Sequence, residues 1–191
     1  MTIKELDEYL FINSNQYFLG HENIEVKPKV LQGIVKRALM YFGNARPKIW
    51  RKYNFNILSE KTIITEVDGR FVVDIHEIYL TDPVYFETPV TFKWNFDNRN
   101  NFLWSMFTGT YNIDFIVKPT LEDINYNDQE FLDMCLGLYL MYVGEARKAF
   151  NLSELPFEND GSDLYSDGKE LFENTKESLQ EENSSWYLAI K

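Results

Sequence analysis

The chain has 191 residues, 45% of them hydrophobic, with 15 Phe, 12 Tyr and 4 Trp, which excludes a disordered chain and a large multidomain machine. Thirty acids against 19 bases leave a formal charge of −11, so phosphate is repelled and neither sequence-specific nucleic acid nor an anionic membrane is expected as a partner. The one cysteine, Cys135, cannot close an internal disulfide, no run of 18 apolar residues occurs, and the start Met1-Thr2-Ile3-Lys4-Glu5 lacks the regions of a signal peptide. A chain made in the cytoplasm and without a membrane span is expected.

Thr2 and Glu5 fit a capping box, and Ile3, Leu6, Tyr9 and Leu10 recur at threes and fours, which predicts a short first helix. Asn13 to Glu25 has no clear period and reads as a connecting loop. From Pro28, the set Val30, Leu31, Ile34, Val35, Ala38, Leu39, Tyr41 and Phe42 predicts a second helix. Gly43-Asn44 reads as its stop, and Pro47 bars continuation by pushing Arg46 toward extended geometry.

Past Pro47 the period shortens. Trp50 to Ile57 and Thr62 to Val67 are rich in β-branched and aromatic residues, and Asp68-Gly69 is a two-residue hairpin signal with Arg70 to Leu80 as the return strand. Asp82-Pro83 marks a turn, Tyr85 to Phe96 reads as another strand with Pro89 at a bulge or edge, and Asp97 to Asn101 form an exposed tip. Tyr111, Ile113, Phe115 and Val117 alternate with Asn112, Asp114 and Ile116, the pattern of a half-buried strand. An antiparallel sheet or small sandwich of about four to six strands is expected.

The helical period returns after Lys118-Pro119-Thr120. Asp128 to Phe150 is apolar around much of its circumference and should be a buried spine. After a polar interruption, Leu164, Leu171, Phe172 and Leu179 predict a final helix over about 164–182, ending at Asn183-Ser184-Ser185 before the apolar tip Trp186-Tyr187-Leu188-Ala189-Ile190. Ten acids and three bases lie beyond residue 150. The class expected is α+β in one domain: helical over 1–46, β-rich over 47–118, and helical with an acidic C-terminal segment over 119–191.

Chemistry is sparse. Asp74 and His76 would share a strand face and, with a third ligand, could serve a metal-dependent cytosolic enzyme; a polar cross-strand pair explains them more simply. Cys135 sits between Met134 and Leu136, where a thiol is inert. No nucleophile elbow, P-loop or dinucleotide fingerprint is present. The run Glu158 to Gly168 resembles a calcium loop but has no Glu six residues after either glycine; capping by Ser162 or Asp163 accounts for it. No catalytic residues, metal ligands or cofactor are therefore assigned. Lys27, Lys29, Lys36, Arg37, Arg46, Lys48, Arg51 and Lys52 concentrate bases near the front of the chain, opposite in sign to its end. Such polarity suits head-to-tail contact between copies. A small acidic adaptor or inhibitor of a basic host protein would use the same charge, binding in a salt-sensitive way.

The stretch Val30 to Pro47, ending Ala38-Leu39-Met40-Tyr41-Phe42-Gly43-Asn44-Ala45-Arg46-Pro47, resembles the helix-then-Arg-Pro opening of small structural proteins of tailed bacteriophages. The ending Leu155-Pro156-Phe157-Glu158, with Leu164-Tyr165-Ser166-Asp167-Gly168-Lys169 and Ser184-Ser185-Trp186-Tyr187, is similar to the tails of such virion proteins. The resemblance implies a non-enzymatic virion subunit, assembled in the host cytoplasm, that forms a ring with copies of itself at the head-to-tail connector or neck. A tail or baseplate station is the alternative, with portal or tail proteins as neighbours. Arg46 and Pro47 would set the helix-to-sheet corner. The residues Trp186, Tyr187, Leu188 and Ile190 read as buried either in the chain's own core or in a partner, and the resemblance implies that they dock onto a partner ring.

Overall fold

The computed structural model describes residues 1–17, 26–81, 88–149 and 161–189, with the backbone alone at 149 and 182–189. It is an α+β fold whose chain divides into two compact units: Met1–Ala45 with Thr120–Lys191, and Arg46–Pro119.

The helical unit begins with α1 (Ile3–Ser14), closed by the capping box expected of Thr2 and Glu5. The Thr2 hydroxyl accepts the Glu5 N–H at 3.2 Å, and the Glu5 carboxylate accepts the Thr2 N–H at 2.6 Å. A short 3₁₀ turn, Asn15–Tyr17, follows, and residues 18–25 of the expected loop lie outside the described residues. Helix α2 (Pro28–Ala45) runs through the expected stop at Gly43-Asn44, because Gly43 and Ala45 are buried and packing holds the last turn helical. Pro47 is where the geometry changes, two residues past the helix.

Helix α3 (Gln129–Ala149) is the spine. Phe131, Leu132, Met134, Cys135, Leu140 and Val143 are all fully buried. It packs against α1, α2 and α4 (Gly161–Ala189). The expected interruption over 152–163 lies outside the described residues up to 160, and its last three residues are helical. Two expectations about α4 change. It starts before Ser162 and Asp163, which therefore stand inside its first turn, and its backbone continues through Asn183-Ser184-Ser185 to Ala189.

The closeness of α3 and α4 comes from glycines. A Cβ on Gly137 would stand 2.7 Å from the Gly168 carbonyl oxygen, one on Gly144 would stand 2.7 Å from that of Gly161, and one on Gly168 would stand 2.6 Å from that of Gly137. Gly137 and Gly144 are seven residues apart, as are Gly161 and Gly168, so each pair falls on one helical stripe and the backbones approach without side chains between them.

The β unit holds two antiparallel sheets. Strands β1 (Lys48–Ile57), β7 (Gly109–Val117), β4 (Arg70–Leu80) and β3 (Glu66–Val67) form one in that order; β2 (Lys61–Ile63), β6 (Phe102–Ser105) and β5 (Trp94–Asp97) form the other. Ile57, Val72, Ile75, Ile78, Ile113 and Phe115 from the first sheet and Leu103 from the second share one core. The Asp68-Gly69 hairpin forms as expected, with φ of 50° and 76°, the two positive values that a type I′ turn demands.

Three strand expectations are corrected. Thr62 to Val67 is not one strand: it breaks at Ile64-Thr65, and β2 and β3 join different sheets. Strand β6, unforeseen, pairs with both β2 and β5 and so makes the second sheet possible. Strand β7 is buried on both faces rather than half-buried, because side chains of β1 and β4, Arg51 and Tyr79 among them, gather over its polar side and pair with its polar residues. The expected turn at Asp82-Pro83 and the start of the next strand, 82–87, lie outside the described residues; Pro89 bridges Tyr79, and β5 begins at Trp94.

Candidate functional site

Strand β4 departs twice from regular pairing, between Val72 and Asp74 and between Ile75 and Glu77. Each bulge resets the two-residue alternation, so the core residues Val72, Ile75 and Ile78 recur at threes. Both shifts fall beside the pair singled out as a metal candidate. Asp74 pairs with Ile116 on the polar side of the sheet, its Oδ1 accepting the Ile75 N–H at 2.8 Å, whereas His76 stands exposed at the second bulge. Among the described residues no group of three His, Cys, Asp or Glu gathers to hold a metal ion. Cys135 is buried in α3, and burial pushes its thiol well above the ordinary range, as expected of a core cysteine.

The polar side of β7 carries a cluster that sequence spacing did not reveal. Asp114 is 5% exposed and lies opposite Arg51 on β1. The Arg51 guanidinium donates from Nε to Asp114 Oδ1 at 2.6 Å and from Nη2 to Oδ2 at 2.7 Å, a two-pronged pair. The guanidinium also sits 4.6 Å from the ring centre of Tyr79 on β4. Burial, followed by the charge of Asp114, raises the Tyr79 hydroxyl above its ordinary 10.0, while Arg51 opposes the rise. Next to them Asn112 Oδ1 accepts the N–H of Asn54, a residue at φ 53° where β1 slips register. The cluster ties three adjacent strands together through groups whose hydrogen bonds are taken up by one another; its chemistry is that of a pin.

The expected interface residues fall in two places. Arg46 and Pro47 are half-buried between α2 and β1, at the junction of the two units. Trp186, Tyr187 and Leu188 lie on the last turns of α4, described as backbone only, and Ile190 lies outside the described residues.

Two surfaces were not anticipated. On the second sheet, Ile63 pairs with Phe102 and Lys61 with Trp104, so these four side chains share a face. Ile63 is 76% and Trp104 40% exposed, the Lys61 ammonium lies 4.1 Å from the Phe102 ring centre, and Leu58 in the adjacent turn is 82% exposed. The alternation Phe102-Leu103-Trp104 carries the signal, but four residues are too few to read alone. In the helical unit, an open groove of about 430 Å³ runs between α2, α3 and α4, walled mainly by apolar side chains with Arg37 and Glu145 as its charged groups.

The charge polarity of the chain is not a polarity in space within this unit. Basic α2 packs against acidic α4, with the Arg37 guanidinium 5.3 Å from the Phe172 ring centre and the Lys176 ammonium 5.7 Å from that of Tyr41. The bundle brings a basic and an acidic segment of the sequence side by side. No helix of the described residues is long and apolar enough to cross a membrane. Comparison with protein-family models and with curated proteins finds no match.

Proposed function

We propose that the chain is a non-enzymatic virion structural protein of a tailed bacteriophage, a ring-forming connector at the portal or neck that works by burying surface between copies of itself and neighbouring portal or tail proteins. The sequence resemblance supplies the class. The observation that carries the reading is the outward face of Ile63, Phe102 and Trp104 on the second sheet, with Leu58 also exposed in the adjacent turn. Apolar side chains gathered on one face of a small sheet mark a surface that is covered in use. Stable assembly interfaces commonly bury about 2,000 Å² or more and are apolar at the centre. Acting through such a surface needs neither a cofactor, a membrane nor a specific nucleic-acid sequence.

The test is the mass of the purified chain in solution, alone and mixed with the proteins encoded beside it. A discrete high-order oligomer, or a stable complex with a portal or tail protein, is the expected outcome, and the identity of the partner places the subunit at the neck or the baseplate. A strict monomer that ignores those proteins and retains a stoichiometric metal ion overturns the reading in favour of an enzyme.

A further inference from the structure

The groove in the helical unit is built for another helix. Val30, Gly33 and Ile34 on α2 face Leu138, Met141 and Tyr142 on α3. Both walls repeat at i, i+3 and i+4, the spacing over which an amphipathic helix lays its apolar side into a groove.

Gly33 is the informative residue. Glycine inside a helix weakens it, and Gly137, Gly144 and Gly168 repay that loss by letting α3 and α4 touch. Gly33 does nothing of the kind: among the described residues, a Cβ built there meets no atom within 4 Å. Among the described residues its small size is unused, and it leaves the groove floor bare.

The chain carries a segment of matching chemistry. Leu179 is buried in the helical core, and the α4 backbone runs on from there to Ala189, ten further residues or about 15 Å at the helical rise. The sequence of that extension is acidic at Glu181 and Glu182 and then apolar at Trp186, Tyr187 and Leu188. The groove offers the opposite charge. Lys29 and Lys36 flank Gly33 at four and three residues on one exposed stripe of α2, and Arg37 lines the groove itself, against the single carboxylate of Glu145.

The geometry points to a head-to-tail contact in which the C-terminal end of α4 from one copy lies in the α2–α3 groove of the next. This contact rests on the reading of the chain as a self-assembling subunit. Groove and helix end are different surfaces, so a pair joined by one contact keeps one groove and one helix end unused, on different copies, and the assembly grows until it closes into a ring.

Complementation tests it on the full-length protein. Gly33→Phe fills the groove from an open position, and Trp186→Ser with Tyr187→Ser removes the apolar end. Sedimentation of the wild type at about 10–100 µM is expected to show oligomers, each variant alone is expected to associate at least tenfold more weakly, and an equimolar mixture of the two is expected to form a one-to-one pair and stop there. Lys29→Glu with Lys36→Glu, two exposed changes away from the core, is expected to weaken association by a similar factor and serves should Gly33→Phe fail to fold. A mixture that stays monomeric, or variants that assemble like the wild type, overturns this contact. Oligomers that persist through every variant leave the building-block reading standing on other surfaces, whereas a chain that neither self-associates nor binds portal or tail proteins removes both.

Discussion

The carboxylate of Asp114 can sit at the middle of a sheet only because Arg51 meets both of its oxygens. Removing the guanidinium leaves a buried charge without its partner, which costs about 3–5 kcal/mol for a fully buried pair. The Arg51 side chain is 26% exposed, so water compensates in part and Arg51→Met is expected to lose about 2–3 kcal/mol in urea unfolding. Replacing both, as Arg51→Met with Asp114→Leu, is expected to regain most of that loss, because an apolar pair needs no partner. A cost below about 1 kcal/mol for the single change shows that the pair does not pin the strands. Tyr79 adds a pH signature. Its folded pKa is raised above the ordinary 10.0 by burial and by Asp114, so the contribution of the neutral phenol is fully present below pH 10 and is lost as pH rises through the folded value. Stability measured from pH 9 to 11.5 is expected to fall less steeply for Tyr79→Phe; superimposable curves contradict the assignment. Asp68, by contrast, is held below its ordinary 3.8 by hydrogen bonds from Lys52 and then Trp50, and its contribution is present above pH 3.8 and lost on further acidification.

Glycine acts in opposite directions on adjacent helices. At Gly168 an added methyl would stand 2.6 Å from a backbone oxygen of α3, and backbone cannot swing aside, so Gly168→Ala forces the helices apart and is expected to cost about 1–3 kcal/mol or more. At Gly33 the same change meets open space and is expected to stabilise α2 by about 1 kcal/mol through helix propensity alone. Paired denaturation curves decide the matter, and shifts of the same sign refute the packing account. Nothing in the hydrophobic pattern distinguishes these two glycines; the difference is whether a neighbour stands opposite. The seven-residue spacing of Gly137 and Gly144 and of Gly161 and Gly168 stands in the sequence, but there the second pair reads as part of a run that caps a helix. The capping box of α1 and the Asp68-Gly69 hairpin were readable because each is closed within a few residues. The β4 bulges were not, since they depend on which residues of β7 lie across the ladder.

For the whole molecule, the chain order of helices, strands and helices becomes two units because the last helices return to pack on the first. Each unit has its own core, one built from all four helices and one shared by two sheets. Deleting residues 184–191 is expected to leave the melting curve of the protein nearly unchanged and to abolish association. An unfolded truncation product shows instead that the tip belongs to the core.

Composition and period by themselves determined the α+β class, the helix starts at Thr2 and Pro28, the buried spine around Cys135 and the hairpin at Asp68-Gly69. These follow from local hydrogen bonding and from which side of one element is apolar. Only tertiary structure decided that β7 is buried on both faces, that β4 carries two bulges beside Asp74 and His76, that basic α2 lies against acidic α4, and that Gly33 meets no described neighbour. Each of those depends on what a distant stretch of chain places opposite a residue, and a sequence read one segment at a time carries no record of that neighbour.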